Sequence, residues 1–301
     1  MIGAVRQPQI WKKFRIFCVL GILSACSSLR LAPQEQAKTL DSSFLTMGAR
    51  WQISVQNMPK SVEFSDLKTK VMALALLYEN TFSDWSEESE LRQLEIKGLH
   101  KKQIPSTLFW SGLELSQLAH KQTKKKFDIT VGDRLWKVRK KVLGQDHLRM
   151  DDYDKSFYFT APVKRLTFGG IVKGMALGDM AELLLRSGVE SFRIDAGGGN
   201  IVESGMNGSQ KNVPPGKTVV KFTSKSRLLK AGSQREAHVF DPANSLGESV
   251  KLQSRESIAL TCETGDLSRT ALRELGALSD AFSTALLLDS RLILPKNCGR
   301  L

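Results

Sequence analysis

The chain is poor in cysteine, in histidine and in long apolar runs. It holds four cysteines and four histidines in 301 residues. No Cys/His spacing in it suggests a zinc site. Beyond the N-terminal region, no run is long and apolar enough to span a bilayer. No internal repeat of solenoid period occurs. Acidic residues are also short: 31 Asp and Glu stand against 44 Lys and Arg, for a formal charge of +13. The excess is densest at KQTKKK (121–126) and KVRKK (137–141). Such patches fit a solvated basic surface, anionic lipid headgroups or a phosphate-bearing ligand. No nucleic-acid module accompanies them, and no nucleic-acid partner is expected. The 41% hydrophobic and 25% charged content is that of a globular chain, long enough for one large domain.

The N-terminus reads as a targeting segment. Arg6, Lys12, Lys13 and Arg15 precede a short apolar stretch, Ile16 to Ala25. It ends in Leu23-Ser24-Ala25-Cys26, which resembles the lipobox of bacterial lipoproteins. The expected division is residues 1–25 as lipoprotein signal peptide, 26–43 as tether and 44–301 as the folded domain. Cys26 would be lipidated (a palmitate-bearing anchor) and tie the protein to the membrane. The alternative is an ordinary signal peptide cut after Ala25. Either way the protein is expected in the bacterial cell envelope, facing the periplasm. Ser27 after the cysteine favours the outer membrane over the inner. Cys262 and Cys298 then remain, and an exported location permits a disulfide between them.

The central stretch is Leu166 to Gly205. A glycine turn at Gly169-Gly170 runs into a helix from about Lys173, with Met175, Leu177, Met180, Leu183 and Leu184 at helical spacing. Gly188 is placed for a left-handed cap. A strand, Ser191 to Ala196, leads to a second glycine run, Gly197-Gly198-Gly199-Asn200. Such loops let a ligand approach the main chain, and helix N-termini attract anions. Upstream, Phe44 to Val55 reads as one strand containing Gly48. Ser65 or Asp66 is expected to cap a helix burying Leu67, Val71, Leu74, Leu77 and Tyr78. Ser106 to His120 reads as a second amphipathic helix, Leu135 to Val142 as a further one, and Asp151 to Phe168 as short strands. Strands are expected within Asn212–Thr223, Glu236–Phe240 and Val250–Thr261. In a last helix, Leu275 to Leu288, Asp280 and Thr284 share a face, and such a pair can offer oxygens to a hard cation.

These blocks, in this order, resemble the ApbE family of FAD:protein FMN transferases. They are Met47-Gly48, Ser89-Glu90-Leu91, Phe127-Asp128-Ile129-Thr130-Val131-Gly132, Gly170-Ile171-Val172-Lys173-Gly174, Asp195 with Gly197 to Asn200, His238-Val239-Phe240-Asp241-Pro242, and Asp280-Ala281-Phe282-Ser283-Thr284-Ala285. The resemblance implies an α+β fold, T-fold-like, with two mixed sheets, peripheral helices and the ligand cleft between them. It implies FAD and Mg²⁺, and transfer of FMN to a Ser or Thr hydroxyl of an envelope acceptor protein with release of AMP. By motif position, Asp280, the Thr284 hydroxyl and the Gly170 carbonyl would hold the metal, and His238 would be the general base. FAD contacts would fall to Met47, Trp85, Lys126, Phe127, Asp128, Thr167, Lys173 and Phe240. The chain departs from the family at Ala49, at Lys125 and Lys126, at Thr167, where an acidic residue is usual, and at Ala243-Asn244-Ser245. Those departures keep two alternatives in view: a non-catalytic FAD-binding lipoprotein, and a pyrophosphatase giving FMN and AMP.

Overall fold

The computed structural model describes residues 39–135, 144–206, 217–225, 257–264 and 271–300. Strands β1 (Thr39–Thr46) and β2 (Ala49–Gln56) pair antiparallel through the two-residue loop Met47-Gly48. Both loop residues have positive φ, 47° and 68°, the geometry of a tight hairpin turn. The single strand expected from Phe44 to Val55 is therefore a hairpin, and it begins at Thr39, inside the stretch expected as tether. On β2, Trp51, Ile53 and Val55 alternate inward and are fully buried.

β2 pairs with β5 (Ser191–Ala196), and the sheet continues through β6 (Ile201–Ser204), β7 (Thr218–Lys225), β8 (Ser257–Glu263) and β9 (Cys298–Arg300). A separate hairpin joins β3 (Leu148–Asp151) to β4 (Ser156–Phe159). Among the described residues every strand pairing of this α+β fold is antiparallel. Cys262 lies opposite Cys298 across β8 and β9, and the two form a disulfide with Cα atoms 4.0 Å apart. It fastens the edge strand to the sheet.

Helix α1 (Phe64–Phe82) buries Leu67, Val71, Ala75, Tyr78 and Phe82. Leu77, expected inward, is half exposed, because Ala75 occupies the inward position four residues after Val71. The helix starts after Glu63 without a side-chain cap, so neither Ser65 nor Asp66 serves as one. Ser89 caps α2 (Glu90–Lys97), accepting from the Arg92 amide, and Ser106 caps α3 (Thr107–Gln122), accepting from the Phe109 amide.

Helices α4 (Val172–Arg186) and α5 (Leu272–Leu286) pack more extensively on each other than any other two described elements. Gly174 and Gly178 make this possible. A Cβ on Gly174 would lie 2.1 Å from the Gly276 carbonyl oxygen, and one on Gly178 would lie 2.3 Å from that of Leu272. The backbones therefore meet where any side chain would clash.

A charged knot holds α1 to this pair. Arg273 donates from Nε and Nη2 to the two Asp179 oxygens at 2.6 and 2.7 Å, and the Tyr78 hydroxyl donates to Asp179 at 2.7 Å. Burial, above all, pushes the Tyr78 hydroxyl far above its ordinary pKa, so it stays a donor. Removing the arginine leaves Asp179 nearly buried with one neutral donor. Arg273→Leu is expected to cost about 2 kcal/mol, less than a fully buried pair because the arginine is partly exposed. Chemical denaturation of the two proteins measures it. A change below a few tenths of a kcal/mol would show the knot to be incidental.

Candidate functional site

The α4–α5 contact sets the chemistry. Because the helices touch through glycine, the Asp280 side chain on α5 reaches the first turn of α4. Its Oδ2 accepts from the Gly174 amide at 3.2 Å. Asp280 is 4% exposed, and no other hydrogen bond to its carboxylate comes from the described residues. Burial pushes its pKa up to about 7; the Lys173 charge and the Gly174 N–H pull the other way without cancelling that effect.

Thr284 lies one turn along α5 from Asp280, and its Oγ1 makes a long donation to the Asp280 main-chain oxygen at 3.3 Å. Gly170 closes this corner. A Cβ there would sit 3.2 Å from Thr284 Oγ1 and 3.3 Å from the Phe127 ring. Glycine leaves that space open. Among the described residues no group of three or more His, Cys, Asp or Glu could hold an ion. A lone carboxylate with a hydroxyl and a carbonyl suits a hard cation that keeps water and phosphate oxygens for its other positions. The Lys173 charge does not offset the burial of Asp280, and a divalent ion would add the charge that does. These residues fit Mg²⁺.

The Thr167–Gly170 loop rests on the segment that follows α3. Asp128 caps the turn Ile129–Val131, accepting from the Thr130 amide at 2.8 Å and the Thr130 hydroxyl at 2.6 Å. Its second oxygen accepts from the Gln145 amide at 3.1 Å. The Asp128 carboxylate thus serves the loop architecture. Phe127 is 5% exposed, with its ring edge against Gly170. Ile129 O accepts from the Thr167 amide at 2.9 Å. Gly132 approaches the Arg165 and Leu166 backbone so closely that a Cβ would lie 2.6 Å from it. Asp133, fully buried, accepts from the Lys164 and Arg165 amides at 3.0 and 2.6 Å.

Asp84 supports the loop from the other side. Its Oδ2 accepts from Thr167 Oγ1 at 3.1 Å, and its main-chain oxygen accepts from Arg165 Nη2 at 2.9 Å. The next residue, Trp85, is 51% exposed. Lys126 is half-buried and adds to the field that holds Asp289 below the usual carboxylate range, where Arg291 contributes most.

The structure therefore gathers Phe127, Thr167, Gly170, Lys173, Asp280 and Thr284 around the start of α4, while Trp85 follows Asp84, the partner of Thr167, in the chain. Met47, at the β1–β2 turn, belongs to a neighbouring feature. Ala49 touches the Gly197 turn, where a Cβ on Gly197 would lie 3.0 Å from the Ala49 Cβ, and Asp195 accepts from the Gly198 amide at 2.6 Å. His238, Phe240, the Ala243–Ser245 departure and Cys26 lie outside the described residues, as does most of the helix expected over Leu135–Val142. Sequence reasoning passed over Asp133, Asp84 and the Gly174–Gly276 contact. The Gly174-x-x-x-Gly178 spacing was a visible signal for the last. Asp84 had none, being 83 residues from its partner Thr167.

Comparison with known proteins agrees with this architecture. The model of the ApbE family matches residues 47–288. No curated protein sequence matches the chain. Among solved structures, the flavin transferase ApbE of Vibrio cholerae is similar with a TM-score of 0.66 in a mutant form and 0.63 in the unmodified one, each at 17% identity over 88% of this chain and 97% of that one. The Pseudomonas stutzeri flavinyl transferase ApbE, apo form, gives 0.63 at 19% identity, over 84% of this chain and 87% of its own. The ApbE protein of Thermotoga maritima gives 0.61 at 18% identity, over 84% and 89%. With a family match spanning most of its length, from the hairpin turn at Met47 to the end of α5, the chain belongs to the ApbE family.

Proposed function

We propose that the protein is an FAD:protein FMN transferase of the cell envelope. The observation that carries this reading is the corner formed by Asp280, Thr284 and Gly170 beneath the N-terminus of α4. Phosphoryl transfer asks a protein mainly for positioning and charge neutralisation. The start of α4 supplies partial positive charge for a pyrophosphate, and the half-buried Lys173 supplies a full one. A Mg²⁺ held by Asp280, Thr284 and the Gly170 carbonyl would neutralise the charge that develops on the bridging phosphate oxygens. Trp85 offers a ring for the flavin or adenine to stack on.

The chemistry balances simply. The acceptor Ser or Thr oxygen attacks the FMN phosphorus of FAD. The bond from that phosphorus to the oxygen bridging towards AMP breaks, and AMP leaves. His238 takes the proton of the attacking hydroxyl. Cys26 would hold the enzyme on the envelope through its lipid, with the outer membrane favoured by Ser27. The altered segment Ala243-Asn244-Ser245, shortly after His238 in the sequence, favours one second reading, a non-catalytic FAD-binding lipoprotein.

The test is incubation with FAD and Mg²⁺, with and without a Ser/Thr acceptor domain of the kind ApbE transferases modify. AMP release and in-gel flavin fluorescence are followed together. AMP with a fluorescent acceptor is the expected result. AMP without labelling supports the pyrophosphatase reading, and bound FAD with no AMP supports a binding protein.

A further inference from the structure

Helix α2 puts a carboxylate where its pattern calls for an apolar residue. Leu91 and Leu94 are buried, and Glu95 falls on the same face, one turn after Leu91. The Glu95 side chain is 2% exposed. Its carboxylate has three partners, and two of them belong to the stretch that enters the glycine loop. Oε1 accepts from the Leu166 amide at 2.7 Å. Oε2 lies 3.1 Å from Arg165 Nε and also pairs with Arg92, one turn back on α2.

Arg165 passes the restraint on. Its Nη2 donates to the Asp84 carbonyl at 2.9 Å, while the Asp84 carboxylate accepts from Thr167 Oγ1 at 3.1 Å. Glu95, Arg165, Asp84 and Thr167 thus form a chain of contacts between residues far apart in sequence. It ties the Ser83–Trp85 segment to the Arg165–Gly170 segment. Asp133 and the Ile129 carbonyl hold the second segment by its main chain, at the Arg165 and Thr167 amides. Glu95 adds the side-chain link to the first.

Desolvation offsets most of the attraction in a buried ion pair. Burial raises the Glu95 pKa above its ordinary value, although the Leu166 amide, Arg165 and Arg92 all oppose the rise. The group's main effect is therefore on geometry. A guanidinium donates in a rigid planar fork, so a carboxylate on one edge fixes where the other edge points.

We infer that Glu95 is a positioning residue for flavin and metal binding: it orients Arg165 and holds the Leu166 amide, and so keeps the segment carrying Trp85 in register with the one carrying Gly170. The inference rests on the transferase reading, in which Trp85 meets FAD and the Gly170 carbonyl meets the metal. Glu95 itself contacts neither ligand in that reading.

Two variants test it. Glu95→Gln keeps the shape and an acceptor for the Leu166 amide but loses the charge that orients Arg165. Glu95→Ala loses both. FAD affinity is read from flavin fluorescence at fixed Mg²⁺, and KM and kcat from AMP release. Glu95→Gln should weaken FAD binding about five- to tenfold, the effect of one charge-assisted hydrogen bond, and Glu95→Ala should weaken it further. KM should rise in step, with kcat at saturating FAD and Mg²⁺ within about threefold of the parent. Val71→Ala, a truncation in the buried face of α1, should lower the thermal midpoint and leave FAD affinity unchanged. Hydrogen exchange of ligand-free protein gives a readout that needs no flavin. In both Glu95 variants the 83–86 and 165–171 segments should exchange faster than in the parent. Parental FAD affinity in Glu95→Ala, a loss no larger than that of Val71→Ala, or a fall in kcat at unchanged KM would overturn the inference, as would unchanged exchange in both segments. A parent that binds no FAD would instead sink the transferase reading, and with it the flavin role of Glu95, while faster exchange would still show that Glu95 holds the two segments.

Discussion

Asp280→Asn is expected to reduce FAD turnover about a hundredfold or more while leaving the protein folded, and at pH 8 more stable than the parent in the absence of metal. The two effects have one cause. Asp280 is buried and, among the described residues, accepts one hydrogen bond, from the Gly174 amide. Its folded pKa of about 7 is above the ordinary 3.8, so the native state holds this proton more tightly than the unfolded chain does. The stabilisation is fully present below pH 3.8, fades as pH rises and is gone above 7. A rise from 3.8 to about 7 corresponds to roughly 4 kcal/mol at about 1.4 kcal/mol per pH unit. Asparagine carries no charge and removes that loss. A bound divalent ion offsets it differently, by stabilising the charged form in proportion to its occupancy. Thermal midpoints at pH 5 and pH 8, with Mg²⁺ and with chelator, separate these effects. In the parent, Mg²⁺ should raise the midpoint at pH 8 more than at pH 5; in Asp280→Asn it should do little at either. Full turnover in the variant would remove Asp280 from the site.

The second large effect is expected at Gly174. A single methyl group there would lie 2.1 Å from the Gly276 carbonyl oxygen, 2.5 Å from its carbon and 2.9 Å from the Asp280 Cβ. Two of these neighbours are backbone, so no rotamer change relieves the clash. Gly174→Ala should cost about 3 kcal/mol, at the upper end for overpacking, even though alanine is the better helix former. At about 2–4 °C per kcal/mol for a domain of this size, the midpoint should fall by about 6–12 °C. Prising the helices apart also moves the Gly174 amide away from Asp280, so metal-dependent turnover should fall beyond the loss of folded protein. A surface control, such as alanine at Arg186 on the same helix, whose side chain is 64% exposed, should change neither by much. A midpoint for Gly174→Ala within 2 °C of the parent would mean that the helices are not held at this distance.

Much of this organisation could be read from the residue pattern. Helix α4, its Gly188 stop and strand β5 follow from apolar spacing, and Ser106 announces the start of α3. Asp280 and Thr284 share a helix face by their spacing alone. The failures have physical reasons. Met47-Gly48 sits within an alternating run, and the turn shows only in the two positive φ values. Leu77 is more apolar than Ala75, but its angular position on α1 faces outward. In the Phe127–Gly132 block the Asp128 carboxylate and Gly132 also brace the bed beneath the Thr167–Gly170 loop, contacts that no local pattern shows. Asp84 and Asp133 meet that loop from far along the chain, and no local pattern marks such partners. The disulfide needed the β8–β9 register before Cys262 and Cys298 could be paired.

The most direct test of the metal assignment is a crystal of the protein with FAD and Mn²⁺, a divalent ion with a usable anomalous signal. The assignment predicts one anomalous peak bound by the Asp280 carboxylate, Thr284 Oγ1 and the Gly170 carbonyl, touching the FAD pyrophosphate. FAD bound with its pyrophosphate elsewhere, or with the ion on a different set of residues, would contradict it.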